Sequence, residues 1–250
     1  MNYGIYISAE GAMAQQTRLE VISNNLANVQ TAGFKRDLAI AQSRYAEEVQ
    51  RGHQIPGMGG IDDLGGGVMT RETVTDFGPG PLNNTGVGSD VAAIGDAFFL
   101  VNRDGQNYLT KAGNFQVTSN GTLVTQEGDA VLAEDGESIV IDPNGGPWQY
   151  TADGAVLQAG ARRNLALVRP MSLGDLVKQG DNLYQSLTPP VALSPAERKV
   201  APEHLEMSSV KPAYEMLEMI TTSRAFEANA NLIRTQDQLY GTLLSRVLKA

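Results

Sequence analysis

The sequence contains no cysteine. That excludes disulfides, a thiol nucleophile and a cysteine-held metal. Histidine is nearly absent too: His53 and His204 are far apart in the chain, a poor basis for an imidazole metal site. No apolar run approaches the ~18 residues that a membrane-crossing helix needs. The opening MNYGIYISAEGAMAQQ lacks the basic start and long apolar segment of a cleavable secretory signal. A cytoplasmic protein is therefore expected, or one exported by a route that leaves the N-terminus uncut. Positive charge is in deficit, with 19 Lys and Arg against 28 Asp and Glu and a net charge of -9. An acidic chain is poorly suited to phosphate backbones or anionic membranes. We expect no nucleic-acid partner and no membrane insertion.

The charge is unevenly distributed. Residues 1–36 carry three basic and two acidic groups, and residues 211–250 carry five and four. The 11 basic and 22 acidic groups that remain lie between them. The two near-neutral ends are the segments least hindered by charge from packing against protein. With 250 residues and 42% apolar content, the chain has enough material for one large domain or two ordinary ones.

Both ends carry a helical period. Ile5, Ala12, Leu19 and Leu26 are spaced by seven, with Gln15, Ile22 and Val29 forming a second row. This is an a/d seam suited to helix packing. The helix should stop between Val29 and Gly33, where glycine supplies a left-handed residue. At the other end, Met216, Met219, Ser223, Phe226, Ala230, Ile233, Asp237, Tyr240, Leu244 and Val247 alternate by three and four. They predict one long helix from about Ala213 to Leu248, with Pro212 in its first turn and Ser208 or Ser209 as cap. At 1.5 Å per residue it would span ~54 Å, longer than a small domain is wide. Part of it should therefore lack cover from its own chain. Asp237 sits on the stripe, where a carboxylate either fixes register or rotates out to water. The methionine stripe of Met207, Met216 and Met219 has two readings as well, as core or as a surface meeting neighbouring chains.

Between the ends the pattern changes to short strand-like runs. They are divided by Asp104-Gly105, Asn120-Gly121, Asp135-Gly136 and Asp153-Gly154, dipeptides that favour tight hairpins. We expect an α+β protein in which N- and C-terminal heptad helices pair as a coiled coil around an inserted all-β domain of antiparallel hairpins. The segments are 1–36 (first helix), 37–80 (connector or extended arm), 81–204 (β domain) and 205–250 (last helix). The connector begins helix-like, as LAIAQSRYAEEVQR, and becomes glycine-rich, as PGMGGIDDLGGG.

Reactive chemistry is hard to find. GGIDDLGGGVMT lacks the Gly-Lys-Ser/Thr ending of a phosphate loop. Asp62-Asp63 reads as a solvated pair. EDGESIVIDPNGG lacks the ligand spacing of a calcium loop and reads as turn chemistry. No Gly-x-Ser-x-Gly elbow occurs. No catalytic residue, cofactor site or metal site is expected, and an enzyme with a β-domain pocket remains the rival reading.

Several motifs resemble one family. SNNLANVQTAGFK, Ser23–Lys35, resembles the N-terminal signature of flagellar basal-body rod and hook proteins, with Asn24, Asn25, Ala27, Asn28, Thr31, Gly33, Phe34 and Lys35 matching. The C-terminal stretch is similar to the family's other signature at Glu206, Ser208, Val210, Glu215, Met216, Met219, Ile220, Arg224, Phe226, Glu227, Asn229 and Asp237. Where the family has Ser-Asn-Val, this chain has Ser208-Ser209-Val210. The run RAFEANANLIR is nearer to proximal-rod than to distal-rod members, and the distal-rod type stays open as the alternative. The resemblance implies a non-catalytic subunit of a periplasmic rod, exported by the flagellar type III apparatus. Its partners would be copies of itself and adjacent rod proteins. The implied assembly residues are Leu19, Ile22, Asn24, Asn25, Leu26, Asn28, Val29, Gly33 and Phe34, with Met216, Met219, Phe226, Ile233, Asp237, Tyr240, Leu244 and Val247.

Overall fold

The structure, a computed structural model, describes residues 3–43 and 65–247. His53, Asp62-Asp63 and most of the glycine-rich stretch lie outside the described residues. Contacts divide the chain into two compact units, one from residues 1–27, 36–76 and 211–250, the other from 28–35 and 77–210.

The first unit contains both long helices. Helix α1 spans Tyr3–Ala27 and helix α2 spans Pro212–Val247. They lie side by side and antiparallel, with Gly4 opposite Gln236, Gly11 opposite Asn229, and Arg18 ion-paired to Glu218. A β-carbon at Gly4 or Gly11 would come within 3.0 Å of the facing amide, so these glycines permit the close approach. Proline opens α2, where its missing N–H would have no helical partner in any case. The residue directly before α2 is Lys211, not a serine. Ser208 Oγ accepts from the Val210 N–H at 3.3 Å, and the Lys211 carbonyl accepts from the Glu215 N–H.

The unit is completed by a ribbon of β1 (Arg36–Ser43) and β2 (Val68–Asp76), paired antiparallel from Arg36↔Asp76 to Ser43↔Val68, with a register shift at Ile40/Ala41. This corrects the helix-like reading of LAIAQSRYAEEVQR for Leu38–Ser43. The valines and threonines of VMTRETVTD suit a pleated strand, and the ladder they offer outweighs the weak helical preference of LAIAQS. The rest of that reading lies outside the described residues.

The second unit is antiparallel β throughout, apart from a short 3-10 turn at Leu173–Asp175. Its first strands are β3 (Leu82–Asn84), β4 (Val91–Ala93), β5 (Phe98–Arg103) and β6 (Gln106–Thr110). Strands β5 and β6 form a hairpin closed by Arg103↔Gln106, with Asp104 and Gly105 at φ 53° and 82°. That is the left-handed pair a two-residue turn requires. They lie near the middle of a nine-stranded sheet, beside a three-stranded sheet of Trp148–Tyr150, Ala155–Gln158 and Ala161–Asn164. EDGESIVIDPNGG holds two turns, in which the Asp135 and Asp142 carboxylates accept from the N–H groups of Glu137 and Asn144, joined by a bridged stretch that buries Ile139 and Ile141. Phe99, Val101, Leu123, Ile139, Leu165 and Leu167 fill the core, with Phe99 edge-on to Phe115.

The exit of this unit pairs with its entrance. Val200–Pro202 pairs with β4, and His204–Glu206 pairs with β3. Ladders that join the two ends of an inserted segment allow it to fold on itself between the terminal helices.

Candidate assembly interface

The asparagine-rich end of α1 divides between the two units. In the helical unit, Asn25 is 1% exposed. Its Oδ1 accepts from the Asp37 N–H at 2.9 Å, and its Nδ2 donates to the Asp37 carbonyl at 2.8 Å. The amide thus substitutes for a neighbouring strand and fixes the start of β1 against the helix. Next along β1, Arg36 Nε donates to Glu215 Oε1 at 2.5 Å, and its guanidinium lies over the Tyr214 ring. Glu215 is fully buried, so this pair replaces hydration that its carboxylate has lost.

In the β unit, residues 28–35 form a locked corner. Asn28 accepts from the Thr31 hydroxyl at 3.1 Å. Gly33 has φ +70°, and a β-carbon there would lie 2.5 Å from the Lys111 and Ala112 backbone. Its N–H donates to the Glu206 carbonyl at 2.6 Å. Phe34 is buried beneath the Lys178 ammonium, 4.1 Å from the ring centre, and its carbonyl accepts from the Ser209 N–H. Lys35 Nζ donates to Glu206 Oε1 at 2.6 Å and to the Gly78 carbonyl at 2.9 Å. The same carboxylate oxygen accepts from the Gly80 N–H, and the other lies 3.6 Å from Lys111 Nζ. Lys35, Lys111 and Glu206 are each at least 95% buried. Burial pushes the Lys111 ammonium down to about 8, although Glu206 opposes the change.

The two terminal motifs, far apart in sequence, therefore meet at Gly33–Lys35 and Glu206–Ser209. Lys35 and Glu206 were legible as motif residues, though not as a pair. Lys111 gave no sequence signal, because a lysine in the β region reads as surface.

The other expected residues fall on different sides of the helical unit. Ile22 is buried, and Leu19, Leu26, Met219, Phe226 and Ile233 are half-buried. Asn24, Met216, Asp237, Tyr240 and Leu244 are exposed. Val29 is half-buried in the β unit, and Val247 is the last described residue of α2. The most buried side chains of the two helices are Glu215, Asn25, Thr222, Ile22, Ser8 and Ala14, with Asn25 and Glu215 held by β1. Large apolar side chains face outward instead: Leu232 at 51%, Leu239 at 59%, Leu243 at 57% and Leu244 at 62% exposed. Buried positions mix small, polar and apolar side chains while these leucines stay exposed, so the pair does not cover its own apolar surface.

No described group of three or more His, Asp or Glu could hold a metal ion, and no described helix is long and apolar enough to cross a membrane. Paired chain ends with apolar outer faces, carrying a closed β insertion, define a building block for a larger assembly.

The comparisons with known proteins identify that assembly. Family models for the flagella basal body rod protein, the flagellar hook protein FlgE/F/G D1 domain and the flagellar basal body rod FlgEFG protein C-terminal match residues 5–35, 92–158 and 201–246. The chain is 32% identical over 250 residues to the flagellar basal-body rod protein FlgF of Caulobacter vibrioides, covering 100% of this chain and 99% of that one. It is 34% identical over 256 residues to the flagellar basal-body rod protein FlgG of Buchnera aphidicola subsp. Schizaphis graminum, covering 94% and 96%. With FlgG of Bacillus subtilis the identity is 30% over 259 residues, covering 96% and 97%. The chain belongs to the flagellar basal-body rod protein family. It is a structural subunit of the basal-body rod, not an enzyme, and it assembles with other rod proteins.

Proposed function

We propose that this chain is a proximal-rod subunit whose terminal helices build the inner wall of a helical tube. Residues 1–36 and 205–250 would form the rod-core domain, 37–80 an arm, and 81–204 an outer domain. The observation that carries this reading is the helix pair's uncovered apolar surface, above all the exposed Leu232, Leu239, Leu243 and Leu244. Burying a large apolar side chain contributes ~1.5–3 kcal/mol, so a few such residues per copy suffice to drive association. In the tube, α1 and α2 would pack as coiled coils. Leu19, Ile22, Leu26, Met219, Phe226 and Ile233 would lie towards the paired helix, and Met216, Tyr240 and Leu244 towards neighbouring copies. Asn24, Asn28 and Asp237 would set register. Head-to-tail contacts that do not close generate such filaments. The rod would cross the periplasm, its subunits exported by the flagellar type III apparatus without signal cleavage.

The test is Phe226→Asp in the full chain. Isolated basal bodies should lack the variant, while the purified chain retains the circular dichroism of its β unit. Normal incorporation would overturn the helical assembly. Relatives named FlgG match at similar identity and support a distal-rod reading as the alternative. Labelling the chain in isolated basal bodies separates the two by its position along the rod.

A further inference from the structure

The antiparallel helices are of unequal length. Gly4 of α1 lies level with Gln236 of α2, so α2 runs on to Val247 past the described start of α1. This overhang carries Leu239, Tyr240, Leu243 and Leu244, all exposed. Elsewhere on the same unit is a groove of about 330 Å³ between α1 and β2, lined by Glu10, Met13, Ala14, Thr17, Val68 and Met69 among others. Met13 and Met69 are 68% and 49% exposed.

We propose that the α2 overhang of one copy seats in the α1–β2 groove of a second copy. This rests on the assembly reading and specifies which surfaces meet. A knob and a groove at different heights on one unit are not self-complementary, so the contact repeats head to tail. The register follows from the helix pair itself. Since Gly4 faces Gln236 and Gly11 faces Asn229, Met13 is level with position 227. Placing Leu243 of the second copy at Met13 requires a displacement of 16 residues, or ~24 Å at 1.5 Å per residue. The same displacement, with all copies parallel, brings Leu239 level with Thr17 and Arg246 level with Glu10. The one basic residue described on the overhang thus meets the one acidic residue lining the groove. Methionines on the groove wall adapt to an inserted leucine.

The absence of native cysteine allows a clean test. The full chain carrying Met13→Cys and Leu243→Cys is incorporated into rods, oxidised, and resolved without reductant. A ladder of dimers, trimers and longer species is expected. Rods that mix the two single variants should give dimers only, and each single variant alone should give none. A second pair, Met69→Cys with Leu239→Cys, guards against a local defect of the first. Rods that incorporate both pairs without cross-linking overturn the proposal. Chains that never enter rods, even without substitution, overturn the assembly reading instead.

Discussion

The two units of this molecule differ in how much of their apolar surface they cover. The β unit encloses Phe99, Val101, Leu123 and Leu167 at 1% exposure or less, and its buried ions include the Lys35–Glu206–Lys111 cluster. The helical unit buries Ser8, Asn25, Glu215 and Thr222 beside Ala14 and Ile22, while leaving Leu232, Leu239, Leu243 and Leu244 exposed. One unit is complete as a single chain. The other has the surface of a protein whose remaining core is supplied by neighbours.

The contrast can be broken most strongly at Glu206. Glu206→Ala leaves two buried ammonium groups facing each other, and loss of one partner of a buried pair costs ~3–5 kcal/mol. Urea unfolding of the full chain, followed by β-sheet circular dichroism, should show that loss. If the midpoint is unchanged, the corner does not hold the β unit together.

A smaller effect comes from Lys111. Its folded-state value of about 8 lies below its ordinary 10.5, chiefly because burial removes hydration. Across that window the unfolded chain still binds a proton that the folded chain has released. The Lys111 contribution to stability therefore rises as pH increases from about 8 towards 10.5. Comparing parent with Lys111→Met over this range isolates it, and the rise should be absent in the variant.

The smallest effect on the isolated chain is expected at Leu239→Ala. An exposed substitution typically shifts stability by less than ~0.5 kcal/mol. Competition between variant and parent for rod incorporation should nevertheless favour the parent clearly. A large stability loss with unchanged incorporation would reverse the comparison between the units.

Much of this was legible in the sequence. The heptad spacing marked both helices, and Asp104-Gly105 marked a hairpin because its left-handed pair is a local requirement. Strand β1 was misread, since LAIAQS has no strong preference and its partner β2 lies some thirty residues on. Asn25 stood out as an amide in a helix, yet its partner is a backbone group twelve residues away. Lys111 could not be foreseen, because nothing near it in sequence distinguishes a lysine under a sheet from one on the surface.

Local periodicity and turn chemistry thus wrote the element order, the insertion of the β unit and the family motifs into the chain. Which residues those motifs join was settled by folding. Lys35 meets Glu206 and Arg36 meets Glu215 because a buried charge must find its opposite within a few ångströms, wherever along the chain that partner lies. The same holds for the helix faces. A periodic stripe announces that one side will be covered, but only the packed pair shows that Ile22 is buried while Leu239, Leu243 and Leu244 stay exposed.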